Sequence, residues 1–421
     1  MDKHVLLRDL DVPNIRELAV YEANDGYAAW RKALTAMKPE EVVAVVKDAG
    51  LRGRGGAGFP AGLKWSFIPK EVFPKYVVVN GDESEAGTFK DHQLLDNNPH
   101  QVIEGTALCA YAVQANTAYI YLRGEFLEPS RTLQKAIDEA YAAGLLGKNI
   151  LGTGYNLDVH IHLGAGAYIC GEETALLSSL EGQLGQPRLR PPFPAVQGLY
   201  AKPTVINNVE TLANVPPIVL NGAQWYRQFG TEKSPGTKIF CVSGRVNKPG
   251  NYELPLGQHT IRELIDMAGG TIDNRPVKGI LPAGSSAPIL PASALDTKLD
   301  YESMQAAGSL LGSASFVILD DTVDIVWAAR KMIRFFKHES CGKCTPCREG
   351  THWAMKLYDK IVSGQGSMQD IDMLAEVASS MAGKCFCLLG EFATSPIQST
   401  LKHFRPEYEA WVSKSKMSAS A

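Results

Sequence analysis

Five of the eight cysteines in this 421-residue chain fall between positions 341 and 387, and any fold must make room for them together. Cys341-Gly342-Lys343-Cys344-Thr345-Pro346-Cys347 has C-x-x-C-x-x-C spacing. One short loop can then place three thiolates around one metal centre and leave the fourth to another segment, as in ferredoxin-type [4Fe–4S] ligation. Two candidates for the fourth, Cys385 and Cys387, stand in Gly383–Gly390. Zinc sites usually draw on C-x-x-C pairs, so a triplet plus one favours iron–sulfur over zinc. A structural disulfide pair is the alternative, a device of short secreted chains. Cys109, Cys170 and Cys241 stand apart, and the default for such residues is a small buried side chain.

The length suits about two or three domains. With 21% charged residues and a net charge of −3, nothing points to nucleic acid or an anionic membrane surface as partner. No apolar run reaches the ~18 residues of a spanning helix. The opening Met1-Asp2-Lys3-His4 has no signal-peptide character, so a reducing cytosolic setting with available thiolates is expected.

Residues 1–35 read as an irregular arm with a short helix. Pro39–Gly50 reads as a helix with acids in its first turn and glycine at its end. Gly53, Gly55 and Gly58 then satisfy G-x-G-x-x-G by letter, but a helix precedes them, not the strand of a dinucleotide-binding unit. Glycines let backbone N–H groups approach phosphates, and Arg54 and Lys64 are placed to neutralise charge; a flexible surface loop is the alternative. Lys75–Asn80 is a buried-type strand ending in the acidic loop Gly81–Thr88. Acids at a strand's carboxyl end can accept hydrogen bonds from ligand hydroxyls or a ring N–H, or can form a solvated turn. Helices at 99–115 and 129–143 flank a strand at 118–122, so the class is α/β. A strand at 157–163, the glycine loop 164–171, and Glu172-Glu173 opening a helix form a second possible cradle. Arg188–Pro194 is a proline-stiffened segment with Phe193 as a stacking platform, and Thr204–Leu212 reads as a helix start with an Asn cap.

Ser234-Pro235-Gly236 marks a boundary. Beyond it, two strands at 238–246 and 252–254 and a helix at 260–268 suggest a β-grasp module to about residue 320. Helices follow at 324–337, 348–363, 368–381 and 396–413, the third with a capping box from Ser367 and the fourth with Pro396 just inside its start. In an antiparallel bundle their first and third connections share one end, which brings Cys341–Cys347 to Cys385–Cys387. The expected layout is therefore residues 1–233, an α/β domain; 234–320, the β-grasp module; and 321–421, an antiparallel four-helix bundle carrying an iron–sulfur cluster.

Taken together, Gly53–Trp65, Asn80–Gly87, Gly166–Gly182, Arg188–Pro194, Thr204–Thr211 and the cysteine motif resemble the NADH- and flavin-binding subunits of respiratory complex I, the NADH:quinone oxidoreductase. The resemblance implies FMN, NADH and one [4Fe–4S] cluster, with hydride passing to FMN and no catalytic side chain. Gly53, Arg54, Gly55, Gly56, Lys64, Asn80, Asp82, Glu83, Tyr168, Gly171, Glu172, Asn207, Asn208 and Thr211 fall on FMN positions. Phe59, Phe67, Glu85, Glu173 and Phe193 fall on NADH positions, and a carboxylate at Glu85 would disfavour the extra phosphate of NADPH. Cys341, Cys344, Cys347 and Cys387 fall on the cluster ligands. Arg190 stands where such chains usually have Lys, and Cys385 where they have a small residue. The implied partners are a [2Fe–2S] thioredoxin-like subunit and a large iron–sulfur subunit, at the inner face of the membrane. The related alternative is the diaphorase subunit of an NAD-linked hydrogenase or formate dehydrogenase. A zinc-stapled scaffold is the unrelated one, and a visible spectrum separates it.

Overall fold

The computed structural model describes residues 4–419; Met1–Lys3 of the expected arm lie outside them. The chain forms two compact units. One takes the chain to Ser84, then Phe89–Phe240 and Asn251–His259; the other takes Glu85–Thr88, Cys241–Gly250 and Thr260 onward.

The first unit is built on four parallel strands, β1 (Tyr76–Gly81), β2 (Thr117–Leu122), β3 (Asp158–Leu163) and β4 (Thr204–Asn208), in the order β3-β2-β1-β4. The run Val77-Val78-Val79 is fully buried, as a parallel strand covered on both faces requires. The helix Pro99–Val113, capped by Asn98 with Pro99 in its first turn, is buried along most of its length. Its Glu104 accepts hydrogen bonds from Tyr27 N (3.0 Å), Trp30 N (3.0 Å) and Tyr21 Oη (2.6 Å), which ties the helices Leu18–Ala23 and Ala28–Ala36 to the core. Thr204–Asn207 is not the helix start expected. Its β-branched run pairs with β1, and the helix begins at Val209 with Asn208 as cap.

A second sheet has β5 (Thr237–Gly244), β6 (Gly250–Pro255), β7 (Val277–Ser285), β8 (Leu290–Pro291) and β9 (Ser315–Asp320) in the order β6-β5-β9-β7-β8, with β7, β8 and β9 belonging to the second unit. Strand β9 runs parallel to β5 and antiparallel to β7. With the helix Ile261–Met267 between β6 and β7, this is the expected β-grasp pattern. Helices Ile325–Glu339, Thr345–Val362, Met368–Met381 and Leu388–Ala419 follow. The Ser367 capping box forms as expected. The fourth helix starts earlier than expected, at Leu388, so Pro396 lies inside it; Phe404 (φ −134°, ψ 23°) breaks it ahead of Pro406. The bundle core is Ile333, Ala354, Tyr358, Ile371, Leu374, Ile397 and Tyr408, and the two tyrosine hydroxyls meet at 2.8 Å. Among the described residues no helix is long and apolar enough to cross a membrane.

Candidate functional site

Strand order reverses between β1 and β4, so a crevice opens at their carboxyl ends, where open α/β sheets hold ligands. Asn80 is next to last in β1 and Asn208 ends β4, and Asn208 Nδ2 donates to Asn80 O at 3.4 Å. Asn80 Nδ2 donates to Gly171 O at 2.9 Å, which joins the turn Tyr168–Gly171 to β1, and a Cβ on Gly171 would touch Asp82 O at 3.6 Å. The glycine loop closes the other side. Arg54 N donates to Thr211 Oγ1 at 2.8 Å, and a Cβ on Gly55 would press on Asn208 Cβ at 2.9 Å. Gly56 has open space in front of it. Gly53, Gly55, Asn80, Asp82, Gly171, Asn208 and Thr211 thus form one connected patch. Asn207 is held beside it by Trp65 Nε1, which donates to its Oδ1 at 2.8 Å.

Three of the side chains assigned to FMN by resemblance have partners within the protein. The Arg54 guanidinium is wholly buried and donates to Thr237 O, Arg52 O, Pro235 O and Tyr226 Oη, so its charge is turned into the protein and not out to the loop surface as the sequence reading expected. The Glu83 carboxylate accepts Asp91 N and His92 N at 2.8 Å each and caps the helix Lys90–Asn97. Burial and the Asp91 charge push it up to about 8, against Lys90 and these two bonds. Glu172 is the N-cap of the helix Glu173–Leu180, accepting Thr174 N and Ala175 N at 2.9 Å.

Lys64 Nζ and Arg190 Nη1 both bind Glu173, at 2.9 and 3.1 Å. Burial would raise the Glu173 carboxyl, but these two cations hold it below the usual range. Phe59 and Phe67 form a tilted ring pair with centroids 6.3 Å apart and are about half exposed; Phe193 is also exposed. Glu85 belongs to the second unit, where Ser285 N and Oγ each donate to its carboxylate at 2.8 Å and Ser286 Oγ donates as well.

The sequence reading missed the buried ions behind Asn208. Asn208 Nδ2 donates to Asp91 at 2.6 Å, and Lys90 Nζ bridges Asp91 (2.8 Å) and Glu210 (2.9 Å). Lys238 Nζ reaches Glu210 at 3.3 Å and Arg54 O at 2.9 Å, and Ile239 N donates to Glu210 at 3.0 Å. Burial opposes ionisation of Glu210, but Lys238, Lys90 and Arg54 keep it below the ordinary carboxylate value. Burial, with Lys90 and Arg54, brings Lys238 down to about 8 despite Glu210. The available signal was Lys238 itself, a lone cation in an apolar strand, which demands a buried partner.

In the second unit, the connections 340–344 and 382–387 meet at one end of the bundle: Phe386 N donates to Cys344 Sγ at 3.4 Å, and Lys343 Nζ lies 4.5 Å from the Phe386 ring centroid. Every cysteine among the described residues is a free thiol. Cys347, in the first turn of its helix, is buried, and Ser340 Oγ lies 3.3 Å from its sulfur. No three metal-binding side chains among the described residues are gathered tightly enough for a single ion. A cubane, with one thiolate on each of four irons, holds its ligands farther apart, and the all-thiol donor set fits it. Cys385 is the unexpected neighbour. Its thiol donates to Met381 O at 3.4 Å, and burial, then Cys344 and Cys347, push it up to about 12. A Cβ on Gly390 would strike its sulfur.

Comparison with known proteins agrees with this layout. Residues 46–217 match the Nuo51 FMN-binding domain, 239–288 the SLBB domain, and 327–411 the NADH-ubiquinone oxidoreductase-F iron–sulfur binding region. An F subunit of NADH-quinone oxidoreductase from Rhizobium meliloti is 53% identical over 98% of both chains. The F subunit of the Mycobacterium bovis NADH-quinone oxidoreductase is 55% identical over 97% of this chain and 93% of its own. The crystal structure of an NAD+-reducing [NiFe]-hydrogenase superposes with a TM-score of 0.86 at 37% identity, over 97% of this chain and 67% of that one. The chain belongs to the family of NADH-quinone oxidoreductase F subunits.

Proposed function

We propose that this chain is the NADH-oxidising subunit of a quinone-reducing complex, taking a hydride from NADH and passing electrons singly through a [4Fe–4S] cluster. The observation that carries it is one chain joining a glycine-lined patch at the carboxyl ends of β1 and β4 to an all-thiol bundle end. FMN, when bound, accepts the hydride and releases electrons one at a time.

The residues bind and orient. Gly55 and Gly56 offer backbone N–H groups to the phosphate, and Gly53 and Arg54 shape the loop there through their own N–H bonds to Phe59 O and Thr211 Oγ1, with Asn208 and Thr211 beneath them. Lys64, Asn80, Asp82, Glu83, Tyr168, Gly171, Glu172 and Asn207 line the remaining flavin contacts. Phe59, Phe67, Glu85, Glu173 and Phe193 hold NADH, and nicotinamide stacking supplies the near-attack geometry. No side chain is required as general acid or base. Cys341, Cys344, Cys347 and Cys387 hold the cluster. We assign residues 1–233 to FMN and NADH, 234–320 to the β-grasp module and 321–421 to the cluster bundle. The partners are a [2Fe–2S] thioredoxin-like subunit and a large iron–sulfur subunit, at the inner face of the membrane. The likeness to the hydrogenase chain supports a second reading, a diaphorase subunit of such an enzyme.

The test is reconstitution with FMN, iron and sulfide. One FMN, released by acid precipitation, four irons and NADH:ferricyanide activity are expected. Activity without flavin, or flavin that stays in the pellet, would overturn the reading. The subunits that co-purify with the native complex separate the two hosts.

A further inference from the structure

Ser340 is the first residue beyond the helix Ile325–Glu339, and its N–H returns to Phe336 O at 2.9 Å, which fixes its place. Its Oγ lies 3.3 Å from Cys347 Sγ and accepts Gly342 N at 3.4 Å. With a lone pair of the oxygen turned to Gly342, the hydroxyl hydrogen is left for the sulfur. Cys347 is only 5% exposed, so little water competes for that bond. An iron-bound sulfur carries no proton and can only accept. Adding an electron to a cluster puts more negative charge on its thiolates, so a donor at this sulfur favours the reduced form.

We propose that the Ser340 hydroxyl, by donating to Cys347 Sγ, sets the reduction potential of the bound [4Fe–4S] cluster. Ser340 is a positioning residue, acting through a ligand. The proposal rests on the reading that Cys341, Cys344 and Cys347 hold that cluster.

The experiment is an EPR-monitored redox titration of the full chain, loaded with FMN and cluster, as wild type, Ser340→Ala, Ser340→Gly and Ser340→Thr. Glycine is included because it is well tolerated just past a helix end. Loss of the hydroxyl should weaken reduction of the cluster at least threefold, a midpoint lower by about 28 mV at 59 mV per tenfold. Threonine, which keeps a hydroxyl, should stay within that threefold, and the FMN midpoint should not move in any variant. An unchanged cluster midpoint in Ala or Gly with four irons present would overturn the role, as would an equal shift in Thr. Loss of iron from both hydroxyl-free variants would assign Ser340 to holding the cluster, and would overturn it too. Wild-type protein that binds no iron would instead end the cluster reading itself.

Discussion

Around Asn208 the protein holds charge with charge, while at the thiol end a serine hydroxyl meets the sulfur of Cys347 and a backbone N–H that of Cys344. The first region buries Arg54, Lys90, Lys238, Asp91 and Glu210; Lys90 pairs with its neighbour Asp91, but Glu210 draws Lys90 and Lys238 from distant parts of the sequence. The second uses a serine hydroxyl and a backbone N–H on two short loops, with its cations at the surface. Buried ions are rigid when all are present and costly when one is missing. A thiol end built from loops depends on local geometry, and the bundle beneath it has its own core. Damage should therefore stay local at the thiol end and spread in the sheet unit.

The largest effect should come from the ligands. Cys347→Ser and Cys387→Ser should lose the reduced-cluster EPR signal and iron while keeping FMN; Cys385→Ser should keep the signal. If the Cys385 and Cys387 results are reversed, the fourth ligand is the thiol that faces Cys344 and Cys347 here.

Glu210→Gln should show the opposite behaviour. It leaves Lys90 and Lys238 without their shared carboxylate and should cost about 3–5 kcal/mol, read by urea denaturation. FMN should be lost with it. A midpoint unchanged from wild type would show that the buried network does not support the patch.

Glu173 and Glu85, one in each unit, are the two carboxylates we assign to NADH. Glu173 is bound by two cations, whereas Ser285 and Ser286 donate hydrogen bonds to Glu85. Glu85→Gln should relieve ~1–2 kcal/mol of repulsion at an effective dielectric near 20. The NADPH-to-NADH ratio of kcat/KM should rise roughly tenfold at constant FMN content. No change in that ratio would remove Glu85 from charge discrimination.

The units should also answer pH with opposite signs. The Glu83 carboxyl is raised to about 8 from 4.5, so its contribution is full below about 4.5 and is lost as pH rises through about 8. Burial opposes the Asp320 charge, but Thr322 and Arg245 lower it to about 2 from 3.8, so its contribution is lost as pH falls through that window. Thermal melts of Glu83→Gln should lose the alkaline-side slope, and those of Asp320→Asn the acid-side one. A Glu83→Gln profile parallel to wild type would contradict this. The smallest effect is expected for Arg190→Lys, which keeps the charge beside Glu173 on a partly exposed arm: KM for NADH should move less than about threefold. A larger change would make the guanidinium fork part of nucleotide binding.

How much of this was legible depends on the range of the interactions involved. The cysteine spacing, the parallel strands, the bundle and its meeting of two loops come from short-range patterns, and the sequence carried them. Asn208 was readable as a cap, but Thr204–Asn207 was not readable as a strand, because pairing with β1 outweighs the local pull of the adjoining helix. Tertiary structure alone decided that Arg54 faces inward, that Glu83 caps a helix, and that Lys90, Glu210 and Lys238 share one buried site. It also decided that Cys385 faces Cys344 and Cys347, and that Ser340 reaches a sulfur seven residues on. Residue type and spacing set what a side chain can do. Which partner it meets is set by desolvation, which makes a buried ion or donor take whatever complement the fold brings within reach.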